Sequence, residues 1–139
     1  MPDMLALGKQ ILASQPFSLI FKTEITRFEI GIVELKIPIT RELQQQHGFL
    51  HGGVLSYAAD NALTFAAGSA MMAPVVTSEF KINYVRPAIG EMLIARANVV
   101  YSGKTQAVSR CELYVVKDGV EKLCAVAQGT IVRIGQESK

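Results

Sequence analysis

The residues best suited to chemistry lie between Gln45 and Asp60, in the stretch QQHGFLHGGVLSYAAD. Gly52-Gly53 opens a long alanine-rich run that reads as a helix. The first N–H groups of such a helix have no partner inside it, and the helix dipole adds partial positive charge there. Glycine lets a ligand approach that backbone closely. The result is a pocket for an oxygen that gains negative charge, such as a carbonyl under attack. Paired glycines are poorer N-caps than Ser or Asp, which favours close approach over simple helix entry.

Asp60 is the second group. A carboxylate on a nearly all-apolar helix costs several kcal/mol unless it is paired or neutral, on the order of what buried charges cost. Ser56, Tyr57 and Thr64 share its side of the helix. Asp60 stands eight residues beyond Gly52, about 12 Å at the usual helical rise. Reacting groups must come within roughly 3–3.5 Å, so Gly52 and Asp60 of one chain cannot both touch one carbonyl carbon. If both act on one substrate, the carboxylate comes from a second copy running antiparallel across a two-fold axis. That predicts a dimer with two equivalent sites. His51 could serve as a base, but a ring that holds the turn by bonding to backbone is the favoured reading. His47 lies in a polar loop and is expected to be solvated. A Ser-His-Asp triad fits poorly, because no G-x-S-x-G elbow is present.

The elements that must position these groups follow from the pattern of the 139 residues, half of them hydrophobic. This is the size of one domain, taken as 1–139. A net charge of +2 with 19% charged residues gives no case for nucleic acid. The longest apolar region, Val54 to Met72, contains Asp60 and is read as a buried helix rather than a membrane span. The N-terminus does not look like a secretory signal, and a cytoplasmic location is expected. Cys111 and Cys124 have no metal or redox spacing and are expected to be reduced. No metal and no cofactor is called for.

Residues 3–14 predict a short helix with Leu5, Ile11 and Leu12 on its apolar side, ended at Ser14-Gln15-Pro16. Ile25–Ile30 and Ile32–Ile37 read as two strands with a bulge or turn at Gly31, and Pro38 ends the second. After the long helix, with Pro74 as its stop, the chain reads as strands around Phe80–Tyr84, Glu91–Tyr101, Thr105–Val116 and Val120–Ile134. Asp118-Gly119 is a hairpin signal. One apolar helix with that many strands must be cupped by one curved antiparallel sheet, an α+β arrangement.

Gly48-Phe49-Leu50-His51-Gly52-Gly53, followed by Ala59-Asp60-Asn61, resembles the G-x-x-H-G-G-x(6)-D motif of the PaaI-like, human-type acyl-CoA thioesterases. Thr77-Ser78-Glu79-Phe80-Lys81-Ile82-Asn83-Tyr84-Val85-Arg86-Pro87 is similar to that family's third-strand signature. The resemblance implies a hotdog fold, with one long helix wrapped by a curved antiparallel sheet, over nearly the whole chain. It implies that the Gly52 N–H polarises a thioester carbonyl and that Asp60 of the partner subunit is general base or nucleophile. Thr77 or Ser78 would position the water or the carboxylate. Gln45 stands where the family usually carries Asn, an amide one methylene shorter. His51 and Gly53 would border the substrate. Phe49, Leu50, Tyr57, Met71 and Met72 would wall the acyl cleft between two central helices, and Arg86 with Lys104 would meet the phosphates of CoA. The implied reaction is hydrolysis of an acyl-CoA to free acid and CoA by a homodimer, or a dimer of dimers joined through exposed strands. Two other readings stand beside it: a hotdog dehydratase or hydratase leaning on a His, and a non-catalytic acyl-CoA binding module.

Overall fold

The computed structural model describes residues 3–135. Helix α1 spans Met4–Ala13, and the Asp3 carboxylate accepts the Leu5 N–H at 3.1 Å as its N-cap. Gly8 and Leu12 turn inward. A Cβ at Gly8 would meet Ile25 at 2.7 Å and Phe28 at 2.8 Å, so only glycine lets α1 lie this close to the first strand. Ile11, expected on the buried side, is 40% exposed instead. A second helix, α2 (Pro16–Ile20), occupies a segment whose proline reads as punctuation. Proline tolerates the first helical position, where its missing N–H would have no partner anyway.

Strands β1 (Glu24–Glu29) and β2 (Ile32–Pro38) follow, joined at Gly31, whose φ of 78° supplies the turn. A short 3-10 turn at Arg41–Leu43 leads to the long helix α3, Gly52–Met71. Then come β3 (Val75–Tyr84), β4 (Met92–Ser102), β5 (Gln106–Lys117) and β6 (Val120–Arg133). Asp118 and Gly119 both take positive φ, as a two-residue hairpin turn requires. The six strands form one sheet in the order β1-β2-β4-β5-β6-β3, every neighbour antiparallel. This is the expected hotdog arrangement, α3 in the hollow of the sheet. It leaves β3 on an edge.

Close contact between helix and sheet comes from small side chains. Ala58, Ala59, Ala62, Ala66 and Ala67 are buried, interleaved with Leu55 and Leu63. The sheet answers with buried Leu35, Ile37, Leu93, Leu113 and Ile131. Ser109 donates to the Leu63 carbonyl at 3.1 Å, a buried tie between β5 and the middle of α3. Leu63 is fully buried, so Leu63→Ala is expected to cost about 2–5 kcal/mol of stability. Urea unfolding should show a lower midpoint with unchanged slope.

Cys111 and Cys124 are free and buried. Burial pushes the Cys124 thiol up to about 11 and holds that of Cys111 well above its ordinary value. Both therefore stay protonated at neutral pH. Among the described residues, no helix is long and apolar enough to cross a membrane.

Candidate active site

Along α3, Gly52, Ser56, Asp60, Thr64 and Gly68 recur at every fourth residue, and each is partly exposed while most of their helical neighbours are buried. Four-residue spacing makes them one slowly turning stripe. β3 runs beside this stripe in the opposite sense. Its Val75 side chain lies against Gly68, its Thr77 hydroxyl donates to the Asp60 carboxylate, and its Tyr84 ring reaches Gly52. The Tyr84 hydroxyl shares a hydrogen bond of 2.6 Å with Ser56 and donates to the Gly52 carbonyl at 3.2 Å.

At the start of α3, the His51 Nδ1 accepts the Gly53 N–H at 2.8 Å, and the His51 carbonyl accepts the Val54 N–H at 2.9 Å. The imidazole thus caps the helix and holds the turn. Two of the first three amides are spent. Among the described residues, none accepts from the Gly52 N–H. Gly53, whose amide is engaged by His51, is the poorer donor to a ligand. Gly52 and Asp60 lie about 12 Å apart along the helix, too far to meet on one reacting atom.

The loop before the helix is folded on itself. Gln45 accepts from the His47 N–H through its side-chain oxygen, its own N–H donates to the Phe49 carbonyl at 2.8 Å, and its carbonyl accepts from Gly48 at 3.0 Å. This leaves the Gln45 NH₂ as a donor. Phe49 is half-buried. Leu50 is buried in the core, as is Met71, so neither can wall a cleft as expected. Met72, 77% exposed, can.

Other expected site residues are placed elsewhere. Ser78 is exposed, at a break in the β3–β6 register between Thr77 and Glu79. Thr77 makes the contact with Asp60. Tyr57 turns toward α2, where it stacks on Phe21 at 4.6 Å and donates to Ser18 at 2.5 Å. Thr23 at 2.8 Å and Asn61 at 3.2 Å complete the ring of partners on its hydroxyl. This network anchors α2 to α3. Arg86 and Lys104 do not meet within one chain. Arg86 follows the end of β3 opposite Ala125, whereas Lys104 precedes Gln106, which is level with Val76 across β6. They are separated by about 30 Å along the sheet at the usual rise per strand residue. Tyr84, in contrast, touches the stripe at Ser56 and Gly52, and the sequence pattern did not single it out. Its place in the third-strand signature was the available signal.

One antiparallel sheet wrapped around one long helix is the hotdog fold, and a carboxylate and an open helix-start amide lie on one stripe of that helix. The thioesterase superfamily model matches residues 47–122, more than half of the chain, and the chain belongs to that superfamily: it is a thioester hydrolase. It is similar to a thioesterase family protein from Silicibacter pomeroyi of known crystal structure, with 40% identity, a TM-score of 0.86, and 88% of this chain and 92% of that one covered. The acyl-coenzyme A thioesterase PaaI of Escherichia coli is 30% identical over 113 residues, 81% of this chain and 78% of its own length. A 1,4-dihydroxy-2-naphthoyl-CoA hydrolase from Listeria monocytogenes is 26% identical over 110 residues, 78% of this chain and 87% of that enzyme.

Proposed function

We propose that the chain hydrolyses acyl-CoA thioesters to a free acid and CoA at two equivalent sites of a homodimer. Each site joins the Gly52 N–H of one protomer to Asp60 of the other. The observation that carries this reading is the unspent Gly52 amide, left open beside two neighbours that His51 occupies. The thioester carbonyl receives that N–H, and the helix dipole favours the negative charge that develops on its oxygen. Asp60, oriented by Thr77, either takes a proton from the attacking water or attacks the carbonyl itself to give a short-lived anhydride, which water then opens to release the free acid and restore the carboxylate. In both routes the thiolate of CoA leaves and gains a proton. Gln45 offers its remaining amide donor to the substrate or water.

The open edge of β3 is a ready surface for pairing with a second copy. Antiparallel pairing in which Thr77 of one protomer lies against Tyr84 of the other would bring each Asp60 toward the partner's Gly52. Contact with Thr77 locates the carboxylate, and contact with Tyr84 locates the amide. A hydratase reading leaning on His51 is less well supported, because that ring already serves as the helix cap.

A thiol-release assay over acetyl-, phenylacetyl-, octanoyl- and palmitoyl-CoA tests the reaction. Stoichiometric free thiol and free acid are expected from at least one of them. Ligand binding without thiol release, or turnover of enoyl thioesters by water addition alone, would contradict it.

A further inference from the structure

An apolar groove of about 600 Å³ lies between α1, the second half of α3 and the start of β3. That volume is within the range of pockets that enclose small organic ligands. Its walls include Leu7 and Ile11 from α1, Phe65 from α3, Met72 from the cap of that helix, and Val75 from β3, with Gly68 between them. Leu7, Ile11 and Met72 are exposed along it, at 41%, 40% and 77%. Two observations connect the groove to the carboxylate. Thr64, at its inner end, is one helical turn beyond Asp60. Val75, on its other wall, is two residues before Thr77, which holds Asp60. From Thr64 to Met72 the groove follows α3 for about 12 Å.

We infer that this groove holds the acyl chain of the substrate, an extended apolar chain of medium length, and that Gly68 sets the length it accepts. The inference rests on the thioesterase reading above. A carbonyl held at Asp60 has its acyl substituent pointing along the stripe toward Thr64 and Gly68, while the CoA sulfur points the other way. The face of the helix at Gly68 carries no side chain, so methylenes can lie against the backbone there. A Cβ at Gly68 meets Val75 Cγ2 at 3.4 Å, ordinary contact, so the site tolerates a side chain that would then project into the groove. Glycine is otherwise costly in a helix interior, and a chain lying over it accounts for its presence. Leu7 and Ile11 then belong to the acyl wall rather than to the protein core. Gly8 and Leu12 are the residues that α1 buries against the protein.

Each methylene buried from water favours binding about three- to fourfold. Within the groove, kcat/KM should therefore rise on the order of 100-fold from butyryl- to decanoyl-CoA, after allowance for incomplete burial. Gly68→Leu fills the groove from α3, and Leu7→Trp narrows it from the solvent side of α1, where the fold is least disturbed. Each should lower the decanoyl-to-butyryl ratio of kcat/KM by at least about tenfold, without lowering Tm in a thermal melt. A ratio unchanged in both variants would overturn the inference. Titration calorimetry of Asp60→Asn supplies a readout that does not need turnover. Decanoyl-CoA should bind more tightly than butyryl-CoA, and the difference should vanish in Asp60→Asn/Gly68→Leu. If wild type releases no thiol from either compound, the thioesterase reading fails, and the calorimetric difference still decides the groove. If it releases thiol from both with no chain-length preference, the groove assignment fails alone.

Discussion

Asp60→Asn is expected to keep the fold and lower kcat by about 10²–10⁴-fold, the usual contribution of a general acid or base. Asn has the same shape, and its side-chain oxygen can still accept the Thr77 hydroxyl that the carboxylate accepts now. β3 therefore stays in register with the helix. What is lost is the negative charge and the ability to take a proton or attack a carbonyl. KM for the best acyl-CoA should move much less than kcat, because an amide at this point still leaves room for the thioester. Steady-state thiol release, with a thermal melt beside it, measures both effects. A variant that turned over its best thioester at close to the wild-type rate would remove Asp60 from the reaction.

Gly52→Pro is expected to be nearly as damaging, for a different reason. Proline deletes the N–H proposed to polarise the carbonyl, and the loss of one such donor costs about 10²–10³ in kcat. Usually an amide cannot be removed without disturbing a helix. Here the geometry permits it. Gly52 is the first residue of α3, the position where proline is best tolerated. His51 before it has φ −63° and ψ 136°, the extended conformation that a residue preceding proline prefers. A Cβ at Gly52 would sit 3.4 Å from the Tyr84 ring, in contact without forced displacement. Gly52→Ala, which retains the N–H, is the control for that added bulk. If Gly52→Pro and Gly52→Ala have the same activity, the amide is not a donor to the reacting carbonyl.

The legible part of the molecule was the part written in local pattern. The long helix, its glycine start and the single acid within it can be read directly, because a charge on an apolar helix and an unpartnered amide are visible without tertiary contacts. The strands after it announced themselves by alternation and by Asp118-Gly119. α2 was not legible, since Pro16 after Ser14-Gln15 signals a break as readily as a new first turn. Side chains whose roles depend on distant neighbours were the hardest to place. Tyr57 follows helical spacing toward Asp60 but is drawn aside by Ser18, Thr23 and Phe21, up to 39 residues away in sequence. Leu50 and Met71 look like cleft residues by proximity to the motif, yet both are buried in the core. Alternation alone could not choose between Thr77 and Ser78, because the strand register breaks there. It also could not show that Tyr84 would bridge back to Gly52, or that Arg86 and Lys104 belong to opposite ends of the sheet.

Subunit mixing tests the shared site most directly. Asp60→Asn and Gly52→Pro protein, each nearly inactive alone, are unfolded together in equal amounts and refolded, so that half of the dimers carry one chain of each kind. In such a dimer one site collects both substitutions, and the other joins an intact Asp60 to an intact Gly52. Recovery to about one quarter of wild-type activity is the predicted result. Mixed protein no more active than the two variants alone, with mixed dimers verified by mass spectrometry, would place both groups in the same chain's site and contradict the account.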